Sequence, residues 1–327
     1  LVCMEESNSK AISVKALAKN FGKVMGGGDG SASGAVAAVA GISFEIERGE
    51  IFGVIGPDGA GKTTLFRILT TLLLPDSGEA RVMGYDTVKD YREIRKIVGY
   101  MPGKFSLYQD LTVEENLKIF ATLFNTTIEE NYHLIKDIYG HLEPFKKRRA
   151  GALSGGMKQK LALSCALIHK PEVLFLDEPT TGIDPVSRKE LWEMLGRLKK
   201  QGITIVVSTP YMDEASLCDR IALMQEGKFL MCDRPQAIID SFSKNLFSVK
   251  GENMGALLEG LREAKGVLSC FAFGDSHHIT AEKDNGTSSA VTAASLKAEL
   301  ERAGFEGVEV TKTEPSVEDC FMELLSK

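Results

Sequence analysis

The octapeptide GPDGAGKT, Gly56 to Thr63, constrains this chain more than any other stretch of it. It fits GxxxxGK[ST], with the apolar run IFGVI before it and helically spaced residues after it. A backbone that must curl around an anion and then enter a helix has few folds open to it. Strand, phosphate loop and helix in that order belong to α/β proteins with a parallel sheet. Gly56, Pro57, Asp58, Gly59, Ala60 and Gly61 would turn backbone N–H groups toward phosphate oxygens, and the helix N-terminus adds partial positive charge. Lys62 would reach the β- and γ-phosphates, while Thr63, beside Thr64, can hold Mg²⁺. The helix is expected from Lys62 to about Leu74, closed by Pro75.

A second stretch, EVLFLDEPTTGIDP, carries Asp177 and Glu178 to the carboxyl end of a buried strand, where ligands of open α/β sheets bind. Successive strand residues face opposite ways, so Asp177 can serve Mg²⁺ while Glu178 addresses a water. A charged helix from about Pro185 to Gln201 separates this strand from ITIVVSTP, giving β-α-β order. In a third stretch, LSGGMKQKLALSCALIHK, Ser154 is a natural N-cap. Gly155 and Gly156 leave the backbone open, and Met157, Leu161, Cys165 and Ile168 follow at helical spacing. The pattern reads either as a capped amphipathic helix or as a second phosphate-gripping helix N-terminus.

Around these motifs, ISFEIERGEIFGVIG reads as a hairpin with a buried second strand, and the Gly-rich Gly26 to Gly41 as a flexible surface loop. Thr112 and Glu115 form a capping box before Val113, Leu117, Phe120 and Phe124, whose spacing marks one helix face as core. FKKRR, Phe145 to Arg149, reads as a solvated face, and Trp192 and His277-His278 as packing residues. From about Asn245 the pattern becomes βαββαβ, a small accessory domain with KDNGTSS as an internal loop.

Composition narrows the classes further. The chain has 327 residues, enough for about two domains, and its net charge of −6 argues against general nucleic-acid binding. No run is long and apolar enough to span a bilayer, and LVCMEESNSK lacks the apolar core of a secretory signal, so the expected location is the cytoplasm. The six cysteines, without metal or CxxC spacing, read as reduced thiols. A first residue of Leu1, with Met4 following, reads as a processed chain or a piece of a longer one.

From about Ile12 to Asp240 these residues resemble the ATP-binding domains of ABC transporters. GPDGAGKTT resembles the family's phosphate loop, VLFLDEP its Mg²⁺ and catalytic-glutamate strand, LSGGM its signature and TGIDP the loop after it. Phe21 in KNFGK is similar to the aromatic that stacks on adenine, and EPSVEDCFMELL to the accessory tail of the drug-export branch. The resemblance implies a P-loop NTPase fold with a mixed sheet core, an antiparallel β subdomain and a helical insert at about 105–170. It implies an ATP-binding domain over 11–240 and a ferredoxin-like α+β accessory domain over 245–327. It also implies ATP and Mg²⁺ as cofactors, with Thr63 and Asp177 on the metal and Glu178 as the catalytic residue. The expected site is peripheral, at the inner face of the cell membrane, with an integral membrane permease and a second ATP-binding domain as partners and no nucleic acid.

Two departures stand out. Relatives usually read YxPQ where this chain reads YMPG, so Gly103 replaces a glutamine that touches Mg²⁺ and the attacking water. They read STH where this chain reads STP, so Pro210 replaces a histidine that contacts the γ-phosphate, and proline has neither an N–H nor a polar side chain. The resemblance therefore implies a degenerate local site with low ATPase activity. Ser154, Gly155 and Gly156 would serve a competent site on an unlike partner domain, separate or following in the same polypeptide. The alternative is a regulatory module that holds ATP without significant hydrolysis.

Overall fold

Three apolar runs form the middle of one sheet because no polar residue interrupts them. IFGVI becomes β3 (Ile51–Ile55), VLFLD becomes β7 (Val173–Asp177) and TIVVST becomes β8 (Thr204–Thr209), each buried along its whole length. The computed structural model describes residues 9–22, 36–104, 106–282 and 291–326. Its contacts divide the chain into two units, Leu1–Arg234 and Pro235–Lys327.

The first unit opens with β1 (Lys10–Phe21) and β2 (Val36–Glu47), then β3 and α1 (Lys62–Leu69). Next come β4 (Ser77–Val82), β5 (Tyr85–Asp86), α2 (Tyr91–Ile97) and β6 (Val98–Met101). Three helices follow, α3 (Val113–Leu123), α4 (Ile128–Tyr139) and α5 (Gly155–Leu167), which make up the helical insert. The unit then closes with β7, α6 (Pro185–Lys200), β8, β9 (Arg220–Gln225) and β10 (Lys228–Asp233). The main sheet runs β10-β9-β3-β8-β7-β6, parallel except for β10, so the loops after β3, β6, β7 and β8 leave one edge together. A second, antiparallel sheet runs β2-β1-β4-β5. The alternating Ile42, Phe44 and Ile46 of β2 enter the core shared with Phe52 and Val54 of β3, and the rings of Phe44 and Phe52 stack at 5.8 Å.

Here the structure corrects three expectations. ISFEIERGEIFGVIG is not a hairpin: β2 pairs with β1 and β3 with β8 and β9, so the Gly49 turn carries the chain from one sheet to the other. Val36 to Gly41 is strand, not loop, because β1 supplies a partner and Val39 is fully buried against it; residues 26–35 of that stretch lie outside the described residues. Helix α1 ends at Leu69 rather than near Leu74, since Thr71 takes a φ of 63° and the amides of Leu72 and Leu73 turn back onto the Arg67 carbonyl.

Helix α3 has both bonds of the expected capping box and buries Val113 and Leu117 fully, with Phe120 and Phe124 half-buried at its edge. FKKRR is exposed: Arg148 lies over the Phe145 ring and Lys146 pairs with Glu114, so the run caps the start of α3. Trp192 is buried in α6. Among the described residues no helix is long and apolar enough to cross a membrane.

The second unit contains α7 (Pro235–Asp240), β11 (Asn245–Lys250), α8 (Met254–Glu263), β12 (Val267–Phe273) and β13 (Ser276–Ala281). It continues with α9 (Ala293–Arg302), β14 (Glu309–Lys312) and α10 (Val317–Leu325). From β11 to β14 the order is βαββαβ, in an antiparallel sheet ordered β12-β13-β11-β14. Helix α7 falls in this unit, and the Ile238 carbonyl accepts from Cys320 Sγ of α10 at 3.5 Å. His277 and His278 are packing residues: His277 Nε2 bonds the Met254 carbonyl at 2.7 Å and His278 Nδ1 pairs with Asp319 at 2.7 Å. KDNGTSS lies outside the described residues. The five described cysteines are free thiols, four of them buried, and burial pushes the Cys270 and Cys320 thiols up to about 11 and about 12.

Candidate functional site

The loop from Gly56 to Gly61 is shaped by close packing on both sides. A Cβ at Gly56 would meet the Met224 carbonyl of β9, and one at Gly61 would meet the Ala38 carbonyl of β2. Gly61 is also the N-cap of α1 at φ 108°, and it offers no side chain to the helix's first amides. Those amides therefore remain available to an anion. Lys62 is buried, its Nζ donating to the carbonyls of Gly56 (2.7 Å) and Pro57 (3.0 Å) and standing 3.4 Å from Glu178 Oε1. Thr63 and Thr64 follow, both half-buried, in the first turn. The ring of Phe66 meets Phe175 edge-on at 5.6 Å, so α1 is fixed against the strand that ends in Asp177.

Register brings the other motifs to the same edge. Ile55 lies beside Thr209 and Asp177 beside Ser208, while β6 ends at Met101 opposite Leu176. The hydroxyl of Ser208 ties the two acidic residues to β8. It donates to Asp177 Oδ1 at 2.6 Å and accepts from the Glu178 amide at 3.1 Å, an amide that also reaches the Ser208 carbonyl at 3.0 Å. Glu178 is held at φ 51°, a left-handed conformation that costs a non-glycine residue about 1–2 kcal/mol. Tyr100 of β6 stands near this pair, and burial together with the Asp177 charge pushes its hydroxyl up to about 12, so it stays protonated.

Gly103 packs against the backbone that carries these two acidic residues. A Cβ there would lie 3.1 Å from the Asp177 carbonyl oxygen and 3.7 Å from Glu178 Cβ, so any side chain at this position would start beside the two acidic residues. Pro210 follows the buried Thr209, and the two flanking hydroxyls are committed elsewhere: Ser208 to Asp177, and Thr209 to Glu214 Oε2 at 2.6 Å. The Tyr211 ring lies under the Arg188 guanidinium at 4.3 Å.

Phe21, half exposed, ends β1 opposite Val36, two residues before the Ala38 that abuts Gly61. The antiparallel sheet thus sets Phe21 on the strand pair that flanks the loop, with Lys19 Nζ over its ring at 5.9 Å. The signature residues have other neighbours. Ser154 caps α5, accepting from the Met157 amide at 3.4 Å, and positions for a Cβ on Gly155 and Gly156 lie 3.2 Å from the Gly182 carbonyl and 3.0 Å from Ser187 Oγ. An open, polar cavity of about 360 Å³ adjoins this helix end, lined in part by Ser154, Gly155, Gly156, His141, Lys160 and Asp184.

The family model for ABC transporter matches residues 39–181. The chain is 34% identical over 293 residues to the Nod factor export ATP-binding protein I of Rhizobium sp. (strain N33), covering 88% of this chain and 92% of that protein. The chain belongs to the ABC transporter family. This ABC chain is also 40% identical over 292 residues, 88% of its length, to the "Probable multidrug ABC transporter ATP-binding protein YbhF" of Escherichia coli (strain K12), but spans only 49% of that relative. Among solved structures, cbiO1 from Clostridium perfringens superimposes with a TM-score of 0.59 at 26% identity, over 71% of this chain and 92% of that one. A dimeric post-hydrolysis form of the ATP-binding cassette MJ0796, bound to ADP and Pi, does so with a TM-score of 0.60 at 25% identity, over 68% and 98%.

Glu214 of the ABC chain's site escaped the sequence reading, and the partner of the Ser208 hydroxyl could not be read from a strand sequence alone. The Ser208 bond to Asp177 depends on register with β7. Glu214 lies in a 3-10 turn and is almost fully buried, which its charge gave no reason to expect.

Proposed function

We propose that this chain binds Mg-ATP at its own phosphate loop, hydrolyses it poorly, and lends its signature helix to a competent site on an unlike partner domain of an exporter. Export is proposed because the curated relatives are named for multidrug transport and Nod factor export. As the chain spans about half of YbhF, the second ATP-binding domain is proposed to follow in the same polypeptide or to come from a separate one, and a membrane permease completes the assembly. That assembly would hold the chain at the inner face of the cell membrane.

In this reading the amides of Gly59 to Thr63 and the Lys62 ammonium grip the β- and γ-phosphates, and Phe21 stacks on the adenine. The donor set suits a hard cation: Asp177 is a buried carboxylate already oriented by Ser208, and Thr63 supplies a hydroxyl oxygen. Magnesium held by these two residues would offset the negative charge of the phosphates. Glu178, aimed by its strained backbone, would accept the proton of the attacking water.

The observation that carries the reading is Gly103 lying against Asp177 and Glu178 with no side chain to hold that water, beside a β8 that is followed directly by Pro210. Losing one positioned donor lowers turnover about 10²- to 10³-fold, and two independent losses compound. The same observation supports a second reading, a regulatory module that retains ATP; Glu178 opposes it, and single-turnover hydrolysis separates the two. With the partner domain present, Ser154→Arg should abolish ATPase activity while Glu178→Gln lowers it modestly. Equal collapse in both variants would overturn the division of labour.

A further inference from the structure

Glu214 is 1% exposed, yet none of the motifs above uses it. Its Oε2 accepts from two hydroxyls: Thr209, at the end of β8, at 2.6 Å, and the fully buried Thr180, in the loop after β7, at 3.1 Å. Thr209 Oγ1 in turn accepts from the Tyr211 amide at 3.1 Å, so the turn around Pro210 is pinned to Glu214. On the other side, Arg188 Nε stands 3.5 Å from Glu214 Oε1, and neither buried atom has a hydrogen bond. Two orphaned, oppositely charged atoms at that distance describe a pair that is half made. Arg188 also reaches Asp213 Oδ2 at 3.4 Å and covers the Tyr211 ring, so its guanidinium has competing places to rest.

Arg188 and Thr180 bracket the segment that supports the signature helix. Gly182 and Ser187 are the neighbours of Gly155 and Gly156, and Ser187 is fixed by Asp184 through its amide at 3.0 Å and its hydroxyl at 2.7 Å. A continuous set of contacts thus runs from the nucleotide edge of β8, through Glu214, to the rest on which α5 begins.

We propose that Glu214 is a positioning residue that transmits occupancy of the phosphate loop to the signature helix, by completing its pair with Arg188 and drawing residues 180–188 into place. The direction of benefit rests on the reading that Ser154, Gly155 and Gly156 serve a partner's site. The link itself is internal to this chain. It answers how a site poor in hydrolysis would still report that it holds ATP: the histidine position is empty of chemistry, but the turn that contains it is tied to the signature support by a carboxylate.

Hydrogen exchange on the purified chain, with and without Mg²⁺ and a non-hydrolysable ATP analogue, tests this without any partner. In the unaltered chain the analogue should slow amide exchange both at 56–64 and at 153–160, the latter about fivefold or more, the low end for coupled sites. Glu214→Gln, which keeps the shape and removes the charge, should keep the first response and lose the second. Thr180→Val, which removes one hydroxyl and leaves Glu214 in place, should weaken the second response selectively. The proposal is overturned if residues 153–160 never respond, if they respond equally in both variants, or if both responses fall together with faster exchange in β8 and α6, the mark of a merely structural role. Turnover plays no part in this readout, so a brisk local ATPase would defeat the proposed division of labour and leave this link standing.

Discussion

Helices α1 and α5 both begin with glycines beside an anion-competent N-terminus, and they are built differently. At α1 the cap is Gly61, held left-handed and unable to cap anything, so the first amides remain open beside the buried Lys62. At α5 the cap is Ser154, whose hydroxyl already satisfies the Met157 amide. The first end leaves its amides open to an anion beside a buried cation of the same chain. The second is a self-sufficient helix end whose hydroxyl proton is still free to be offered outward, which suits a surface that completes another domain's site. The contrast teaches that phosphate affinity and helix stability compete for the same amides.

The comparison can be broken most decisively at Lys62. Lys62→Ala should weaken binding of a fluorescent ATP analogue by about 100-fold or more, while Ser154→Arg leaves that affinity within about twofold, since the two ends have separate neighbours. Loss at both would show that one chain's two ends share a ligand. A second effect lies at the far end of α5. His169, stacked on Phe124 at 3.8 Å and bonded to the Val98 carbonyl at 3.1 Å, is pushed down to about 4 by burial. Its folded value lies below its ordinary 6.5, so it contributes stability that is complete above that value and is lost as pH falls toward 4, up to about 3 kcal/mol. Urea midpoints should fall between neutral pH and about pH 4, and the fall should be smaller in His169→Leu.

Smaller effects sharpen the contrast. Gly103→Gln should raise single-turnover hydrolysis at the local loop about tenfold, and more when combined with Pro210→His, if absent side chains are what limit it. No change would place the limit elsewhere. Ser154→Ala should lower unfolding stability by about 1 kcal/mol through loss of the cap and leave ATP affinity at α1 unchanged, as read by denaturant unfolding and analogue titration.

The motifs were legible because each is contiguous and sits where a strand meets a helix. GPDGAGKT, VLFLDEP and LSGGM each contain both their chemistry and their local structure. Legibility stopped where a partner strand decides the outcome. VAAVAG is small and Gly-flanked, yet β1 makes it a strand; ISFEIERGEIFGVI has the look of a hairpin, yet its halves find partners in separate sheets. Arg234 and Pro235 part the two units because α7 packs with α10, a contact across more than eighty positions that no local pattern carries. The partner of Ser208 and the burial of Glu214 were unreadable for the same reason, since a hydroxyl in a strand and an acid in a turn acquire roles only from what register and burial set beside them.

The glycines around the nucleotide edge differ in how replaceable they are. Gly56 and Gly61 are hemmed in by the carbonyls of Met224 and Ala38, so the cradle tolerates nothing else. Gly103 has an ordinary φ and needs its neighbours to yield by only a few tenths of an ångström. Of these three glycines, Gly103 is thus the one most open to a side chain. On the proposed reading two substitutions, at Gly103 and Pro210, separate a nucleotide holder from a motor, and the Ser208 bonds to Asp177 and to the Glu178 amide already hold the two acidic residues in place for them.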